Sequence, residues 1–176
     1  EADLIVIGPG SLFTSIVPNL LISDILAALT GSPAFKVYVC NVAEEPAQTE
    51  GYSVLDHLRV VQHYGGEDAV DAVLANNNMP KGPTPAGLDF IQANKPWNDV
   101  VLLVEADVID ETDETSTARH DSTKLSNAIA GAYRTYRGRR RRLPRVRLNL
   151  ESNKPGSRLM DFNASGETRT VSAQEK

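Results

Sequence analysis

The chain has 176 residues, of which 41% are hydrophobic and 23% charged, as in an ordinary globular domain. Its single cysteine excludes a disulfide framework and a cysteine-based zinc site. No apolar run reaches the ~18 residues that a membrane span needs, and the first residues do not follow the pattern of a signal peptide. We therefore expect a cytoplasmic protein with no membrane span.

The net charge of −5 conceals two regions of opposite sign. Residues 134–176 carry 12 Lys and Arg against 4 acidic residues, or +8, whereas residues 1–133 carry −13. Residues 137–176 also lack sustained periodicity, which predicts a flexible basic tail after a domain of residues 1–136. The arginines of this tail could bind nucleic acid or an anionic membrane, but no aromatic side chains lie among them for base stacking. We expect a solvated tail and no nucleic-acid partner.

Four apolar runs predict buried β-strands. They cover residues 4–7, 36–42, 70–75 and 100–104. Because these runs are apolar on both faces, they suit a parallel sheet covered by helices rather than an open antiparallel sheet. The sequence therefore predicts the α/β class.

Helical spacing of apolar residues predicts three helices between and after the strands. They cover about 21–29 and 53–64, and the third begins near 121–122. Ser53 and Asp56 are spaced as a capping box, and Gly65 is placed to cap the end of the second helix. Asp121 can cap the start of the third helix. The proline- and glycine-rich stretch 76–97 predicts a long loop.

The turn after the first strand is the first candidate site, and it consists of Gly8, Pro9, Gly10 and Ser11. Glycines let the backbone approach an anion closely and direct its N–H groups toward it. The hydroxyls of Ser11, Thr14 and Ser15 could add donors. A tight turn without a ligand is the alternative, because the sequence is neither a dinucleotide fingerprint nor a Walker A loop.

Two further segments lie at equivalent positions of the predicted fold. Asn41 lies at the end of the second strand and Thr49 in the loop after it, and Arg119 and His120 precede the last helix. Arginine can bind a phosphate through two parallel hydrogen bonds, and histidine could donate to a phosphate or transfer a proton. Since ligands of open α/β sheets bind beyond the carboxyl ends of the strands, all three segments should meet at one edge.

Two other features are not expected to carry chemistry. The acidic run 105–114 lacks the spacing of a calcium loop, so we predict a solvated loop rather than a metal site. Cys40 lies in a predicted buried strand and is expected to be unreactive.

Three separated stretches together resemble the CofD/YvcK family. They are ADLIVIGPGSLFTSIVPNLL (2–21), KVYVCNV with the following QTEGYSVLDHL (36–58), and ARHDSTKL (118–125). The resemblance implies a three-layer, Rossmann-like fold with a mostly parallel sheet that binds a nucleotide conjugate. Because the family's glycine-rich N-terminal loop is absent here, we expect this chain to be the C-terminal part of such a domain.

The first turn distinguishes the two branches of that family. Chains of the CofD branch tend to read Gly-Pro-Ser-Asn-Pro, whereas this chain reads Gly8-Pro9-Gly10-Ser11-Leu12, as in the YvcK branch of gluconeogenesis factors. The resemblance then implies a homo-oligomeric regulatory protein that binds a UDP-sugar, notably UDP-N-acetylglucosamine. Such proteins are linked to carbon metabolism, cell shape and peptidoglycan precursor supply. It implies no established reaction, no assigned catalytic residue, no metal site and no certain cofactor.

The alternative within the family is an enzyme of the CofD type. Such a transferase would move 2-phospho-L-lactate from a guanosine diphosphate carrier to a deazaflavin and would need Mg²⁺. A third alternative, an interaction protein attached through its basic tail to nucleic acid or an anionic membrane, ranks last.

The family's binding residues are carried over by position. They are Gly8, Pro9, Gly10, Ser11, Thr14, Ser15, Asn41, Thr49, Gly51, Tyr52 and Arg119, with His120 beside it. The first six would surround phosphates, and Arg119 would contact the diphosphate or the sugar. One loop departs from the family, since Ala47 and Gln48 stand where YvcK chains often have a glycine and an acid.

Overall fold

A four-stranded parallel sheet forms the centre of the computed structural model. Its strands are β1 (Leu4–Ile7), β2 (Phe35–Val39), β3 (Ala72–Asn76) and β4 (Leu102–Ala106), hydrogen-bonded in that order. The structure describes residues 2–80, 89–93, 95, 97, 100–111 and 119–140, and for residues 139 and 140 the helical backbone alone. The predicted α/β class and the parallel sheet are confirmed.

Helices lie between and after the strands. After β1 come a π-helical turn (Leu12–Ile16), a single turn α1 (Val17–Leu20) and α2 (Ser23–Gly31); after β2 comes α3 (Val54–Gly65) with a 3₁₀ turn (Glu67–Ala69); after β4 comes α4 (Ser122–Arg140). Residues 137–140, predicted to begin the tail, are therefore helical. The rest of the predicted tail lies outside the described residues.

The sheet carries a core on each face, which gives the three layers expected. On one face, Tyr38 and Val73 of the sheet pack with buried residues of α1–α3, such as Leu20 and Leu58. On the other face, alternate residues of the same strands pack against α4. There Phe35 stacks on Tyr136 with ring centroids 4.1 Å apart. Burial on both faces explains why the strands read as continuous apolar runs.

Capping explains where α3 begins and ends. Ser53 and Asp56 form the predicted capping box, in which each residue bonds the backbone of the other. The predicted cap at Gly65 is wrong by one residue, because the helix ends at Gly65 and is capped by Gly66, which has a positive φ of +84°. Gly65 has a packing role instead, since a Cβ there would lie 2.8 Å from that of Ala69.

The helix predicted over 21–29 begins two residues late, because Ile22 has an extended backbone. Its neighbour Leu21 is 65% exposed and Ile22 50% exposed, so these apolar residues do not contribute to the core. An apolar groove of about 660 Å³ runs along β1. In the described sheet β1 is an edge strand, paired with β2 alone. In the described part of the chain, no single helix could cross a membrane. The segments 12–20 and 23–31 reach that length only as a pair bent by 78°.

Candidate functional site

The three predicted segments meet in one open pocket of about 500 Å³ at the carboxyl ends of β1 and β2. It is lined by Pro9, Gly10, Ser11, Asn41, Val42, Ala43, Glu44, Glu45, Pro46, Arg119 and His120. This position follows from the topology, because β1 and β2 are parallel neighbours and their following loops leave the sheet at the same edge. The predicted meeting of the three segments at one edge is confirmed.

Gly8 fits the first turn closely against the end of β2. Its φ is +87°, and a Cβ on it would lie 3.0 Å from the carbonyl oxygen of Val39. A side chain at this position would therefore be strained and would press on the neighbouring strand. The absence of a side chain lets the turn bring Ser11 to the loop that follows β2.

A compact turn orders the loop after β2. Thr49 is fully buried, and its Oγ1 accepts a hydrogen bond of 2.9 Å from the Glu45 N–H. The Glu45 carbonyl in turn accepts bonds from the N–H groups of Gln48 and Thr49. Thr49 was predicted to line the site. Instead it holds the backbone of Glu45, which does line the pocket.

The carboxylate of Glu45 occupies the side of the pocket where Ser11 and Asn41 meet. Ser11 Oγ lies 2.6 Å from Glu45 Oε2 and 3.2 Å from Gln48 Oε1. Asn41 Nδ2 lies 3.4 Å from Glu45 Oε1. A hydroxyl has one proton, and the shorter, charge-assisted bond to Glu45 takes it. Two groups predicted to donate to a ligand therefore contact an internal carboxylate.

His120 contacts the loop after β2 through its ring. Its Nε2 lies 3.2 Å from the carbonyl oxygen of Cys40, which can only accept, so Nε2 carries the donated proton. Burial lowers the pKa of His120, and the bond to Cys40 offsets this in part. In the neutral ring, Nδ1 is then an acceptor, and this geometry does not supply the donor to a phosphate that the sequence suggested.

Arg119 supplies the positive charge of the pocket. Among the described residues that line it, Arg119 is the one that is always cationic, and its side chain is exposed. The Arg119 carbonyl accepts a 2.8 Å bond from the Asp110 N–H. The adjacent Asp121 caps α4 as predicted, with its carboxylate 2.6 Å from the Lys124 backbone nitrogen.

The remaining predicted residues lie outside this pocket. Gly51 and Tyr52 line a second pocket of about 470 Å³ beside it. Gly8 and Ser15 line the apolar groove along β1, and Thr14 is exposed. The structure therefore brings together Pro9, Gly10, Ser11, Asn41, Arg119 and His120, and separates them from the others.

Two other titratable side chains near the site, those of Cys40 and His57, are buried in the protein. Cys40 is fully buried, and burial raises the pKa of its thiol to about 12, which supports an inert cysteine. The ring of His57 is buried against Tyr52, its Nδ1 bonds the Ser53 carbonyl at 2.9 Å, and its Nε2 has no partner. Within the described residues, no three His, Cys, Asp or Glu side chains are grouped to hold a metal ion.

Glu45, whose carboxylate contacts Ser11 and Asn41 in this pocket, is among the lining residues that the sequence reasoning missed. It lies in the polar loop directly after the second strand, where side chains of an α/β sheet commonly face a ligand. That position was the available signal. A phosphate site requires hydrogen-bond donors, and the ionised acids of this loop offer only acceptors, so the expected ligand pointed away from them.

A parallel sheet with helices on both faces and a pocket at the carboxyl ends of its strands defines a Rossmann-like α/β domain. The family model for 2-phospho-L-lactate transferase CofD matches residues 1–114, and the chain belongs to this family. The gluconeogenesis factor of Halalkalibacterium halodurans is 47% identical over 137 residues, which are 73% of this chain and 42% of the relative. That of Bacillus subtilis is 47% identical over 77 residues, or 44% of this chain and 24% of the relative.

A solved structure is similar to this chain in both fold and sequence. The crystal structure of a UPF0052 family member from Bacillus halodurans matches with a TM-score of 0.65 and 33% identity, over 73% of this chain and 43% of that one. The chain spans less than half the length of the curated relatives it matches.

Proposed function

We propose that this protein is a UDP-sugar-binding regulatory protein of the gluconeogenesis-factor type, with UDP-N-acetylglucosamine as its ligand. The observation that carries the proposal is the pocket in which the first turn, the loop after β2 and Arg119 meet. The names of the relatives support a role in carbon metabolism. Links to cell shape and peptidoglycan precursor supply belong to the same proposal.

The pocket suits a ligand that combines a diphosphate with hydroxyl groups. Arg119 offers a planar, permanently charged fork that matches phosphate oxygens. At Gly10 the turn has no side chain to block the close approach of a phosphate. The acidic and amide groups on the opposite loop suit hydroxyls rather than phosphates.

Calorimetric titration of the full chain tests the proposal. UDP-N-acetylglucosamine and GDP are titrated separately, each with and without magnesium. We expect metal-independent binding of the UDP-sugar and little binding of GDP. A magnesium-dependent preference for the guanosine ligand would overturn the regulatory assignment.

The description of the family model favours one alternative, a transferase of the CofD type. Such an enzyme needs Mg²⁺, and within the described residues no three metal-binding side chains come together to hold that ion. Magnesium-dependent consumption of a lactyl-diphospho-guanosine donor with a deazaflavin acceptor would establish this activity. Its absence, together with UDP-sugar binding, would favour the regulatory protein.

A further inference from the structure

We infer that Glu45 recognises a vicinal diol of the ligand, while Arg119 binds its phosphates. The inference rests on the proposed function and names the part of a nucleotide sugar that the loop after β2 would read. On this inference, Glu45 is the residue that distinguishes ligands with hydroxyl groups from their deoxy analogues.

The Glu45 carboxylate is held in place from two sides. Its backbone is fixed by the buried Thr49 hydroxyl and by the turn over residues 45–49. Its two oxygens accept from Ser11 at 2.6 Å and from Asn41 at 3.4 Å. A charged side chain with both its backbone and its head group fixed is pre-organised, so little entropy is lost when a ligand binds it.

The hydrogen-bonding capacity of this carboxylate matches hydroxyl donors. An ionised carboxylate offers about four lone-pair positions, and Ser11 and Asn41 use one each. The free positions can accept two further O–H groups. Ser11, whose proton is committed to Glu45, can itself only accept from a ligand.

Phosphate is the wrong group for this part of the pocket. Its oxygens bring negative charge and acceptors to a site where Glu45 already presents both. Since like charges at hydrogen-bond distance repel, the diphosphate is directed to Arg119, which comes from a different element. A diol brings two donors and no charge.

The position of Glu45 in the fold agrees with this role. In dinucleotide-binding α/β domains, an acidic side chain at the end of the second strand accepts the ribose hydroxyls, beside the glycine-rich turn of the first strand. Here Glu45 follows β2 and contacts Ser11 of the turn after β1. Both kinds of domain thus place an acidic side chain from the loop after the second strand beside the turn after the first strand, although their sequence motifs differ.

The test compares ligands with and without a diol. The full chain is titrated separately with three ligands. They are UDP-N-acetylglucosamine, its 2′,3′-dideoxyribose analogue, which lacks the ribose diol, and its 3,4-dideoxyhexose analogue, which lacks the hexose diol. We expect at least one analogue to bind about ten- to hundredfold more weakly, the range for hydrogen bonds to a charged group. The analogue that weakens identifies the ribose or the hexose as the source of the diol.

The variant Glu45→Gln keeps the size of the side chain and removes its charge. We expect it to bring the ratio of the two affinities close to one, because the diol-bearing ligand binds more weakly while its analogue binds as well as before or better. Glu50→Gln is the matched control. It removes one negative charge from the same loop, where Glu50 contacts the Ala47 N–H and does not line the pocket.

Several results would overturn the inference. If the wild-type chain binds the parent ligand and both analogues with equal affinity, the inference is wrong, and no variant is needed to show it. An equal loss of affinity for all ligands in Glu45→Gln would show a structural role, and a magnesium requirement that disappears in this variant would show a metal ligand. If the wild type binds no UDP-sugar, the proposed function itself fails and the inference fails with it.

Discussion

The substitution Ala47→Gly tests the turn that holds Glu45. Ala47 has φ +60°, and among the described residues it is the non-glycine residue with a left-handed backbone. Its side chain is exposed, so the change removes a Cβ without opening a cavity. Glycine adopts this conformation without steric cost.

The expected magnitude is the difference between two opposing terms. A left-handed conformation costs a residue with a Cβ roughly 1–2 kcal/mol, which glycine recovers. Glycine also gives the unfolded chain more freedom, which costs about 0.4–1 kcal/mol of stability. We expect the free energy of unfolding to rise by about 0.5–1 kcal/mol, equivalent to a Tm higher by roughly 1–4 °C for a chain of this size.

Urea unfolding followed by tryptophan fluorescence measures this change. The chain has a single tryptophan, Trp97, whose indole N–H donates to the Val101 carbonyl at 2.8 Å, so its emission reports on the folded domain. The control is Ala27→Gly at an exposed position within α2, which should lower stability by about 1 kcal/mol. If both glycine substitutions destabilise the chain equally, Ala47 is not left-handed and the turn described around Glu45 is wrong.

Three further predictions follow from the site and the core. Arg119→Ala should weaken UDP-sugar binding by roughly 1.5–3 kcal/mol in calorimetry, and an unchanged affinity would remove Arg119 from the site. Burial lowers the pKa of His57, so the unfolded chain binds a proton more readily as the pH falls below ~6.5, and the free energy of unfolding should fall there. Urea unfolding measures how steeply the free energy of unfolding depends on pH, and this dependence should be weaker in His57→Asn than in the wild type. The variant His63→Asn, at an exposed position, is the control, and equal slopes in the wild type and both variants would contradict the prediction. Cys40 should resist a thiol reagent at pH 8 until urea unfolds the chain, and rapid reaction of the native chain would contradict its burial.

The sequence was sufficient for the architecture because burial on both faces leaves a strong pattern. Each apolar run became a strand, although β2 ends at Val39, three residues before the run does. Strand ends depend on which neighbours pair, and Leu21 shows that an apolar residue at helical spacing can lie outside both helix and core. Local pattern fixes the type of an element more firmly than its boundary.

The candidate site was predictable in place but not in detail. Topology alone brought the first turn to the loop after β2. By contrast, Thr49 and Asn41 are both polar loop residues, yet one is buried beneath the turn and the other lines the pocket. Their roles depend on distances across the loop, such as that from Ser11 to Glu45, which no local spacing encodes.

The bonds that close the pocket join parts of the chain that are far apart in sequence. Ser11 and Glu45 are 34 positions apart, and Cys40 and His120 are 80 apart. The pocket therefore exists only when the whole domain is folded, and it is absent from partly folded states that lack these contacts. A ligand at a hundred times its Kd would stabilise the folded chain by about 2.7 kcal/mol through mass action. Thermal shift can accordingly serve as a binding assay, and destabilising substitutions far from the pocket will lower the concentration of competent sites.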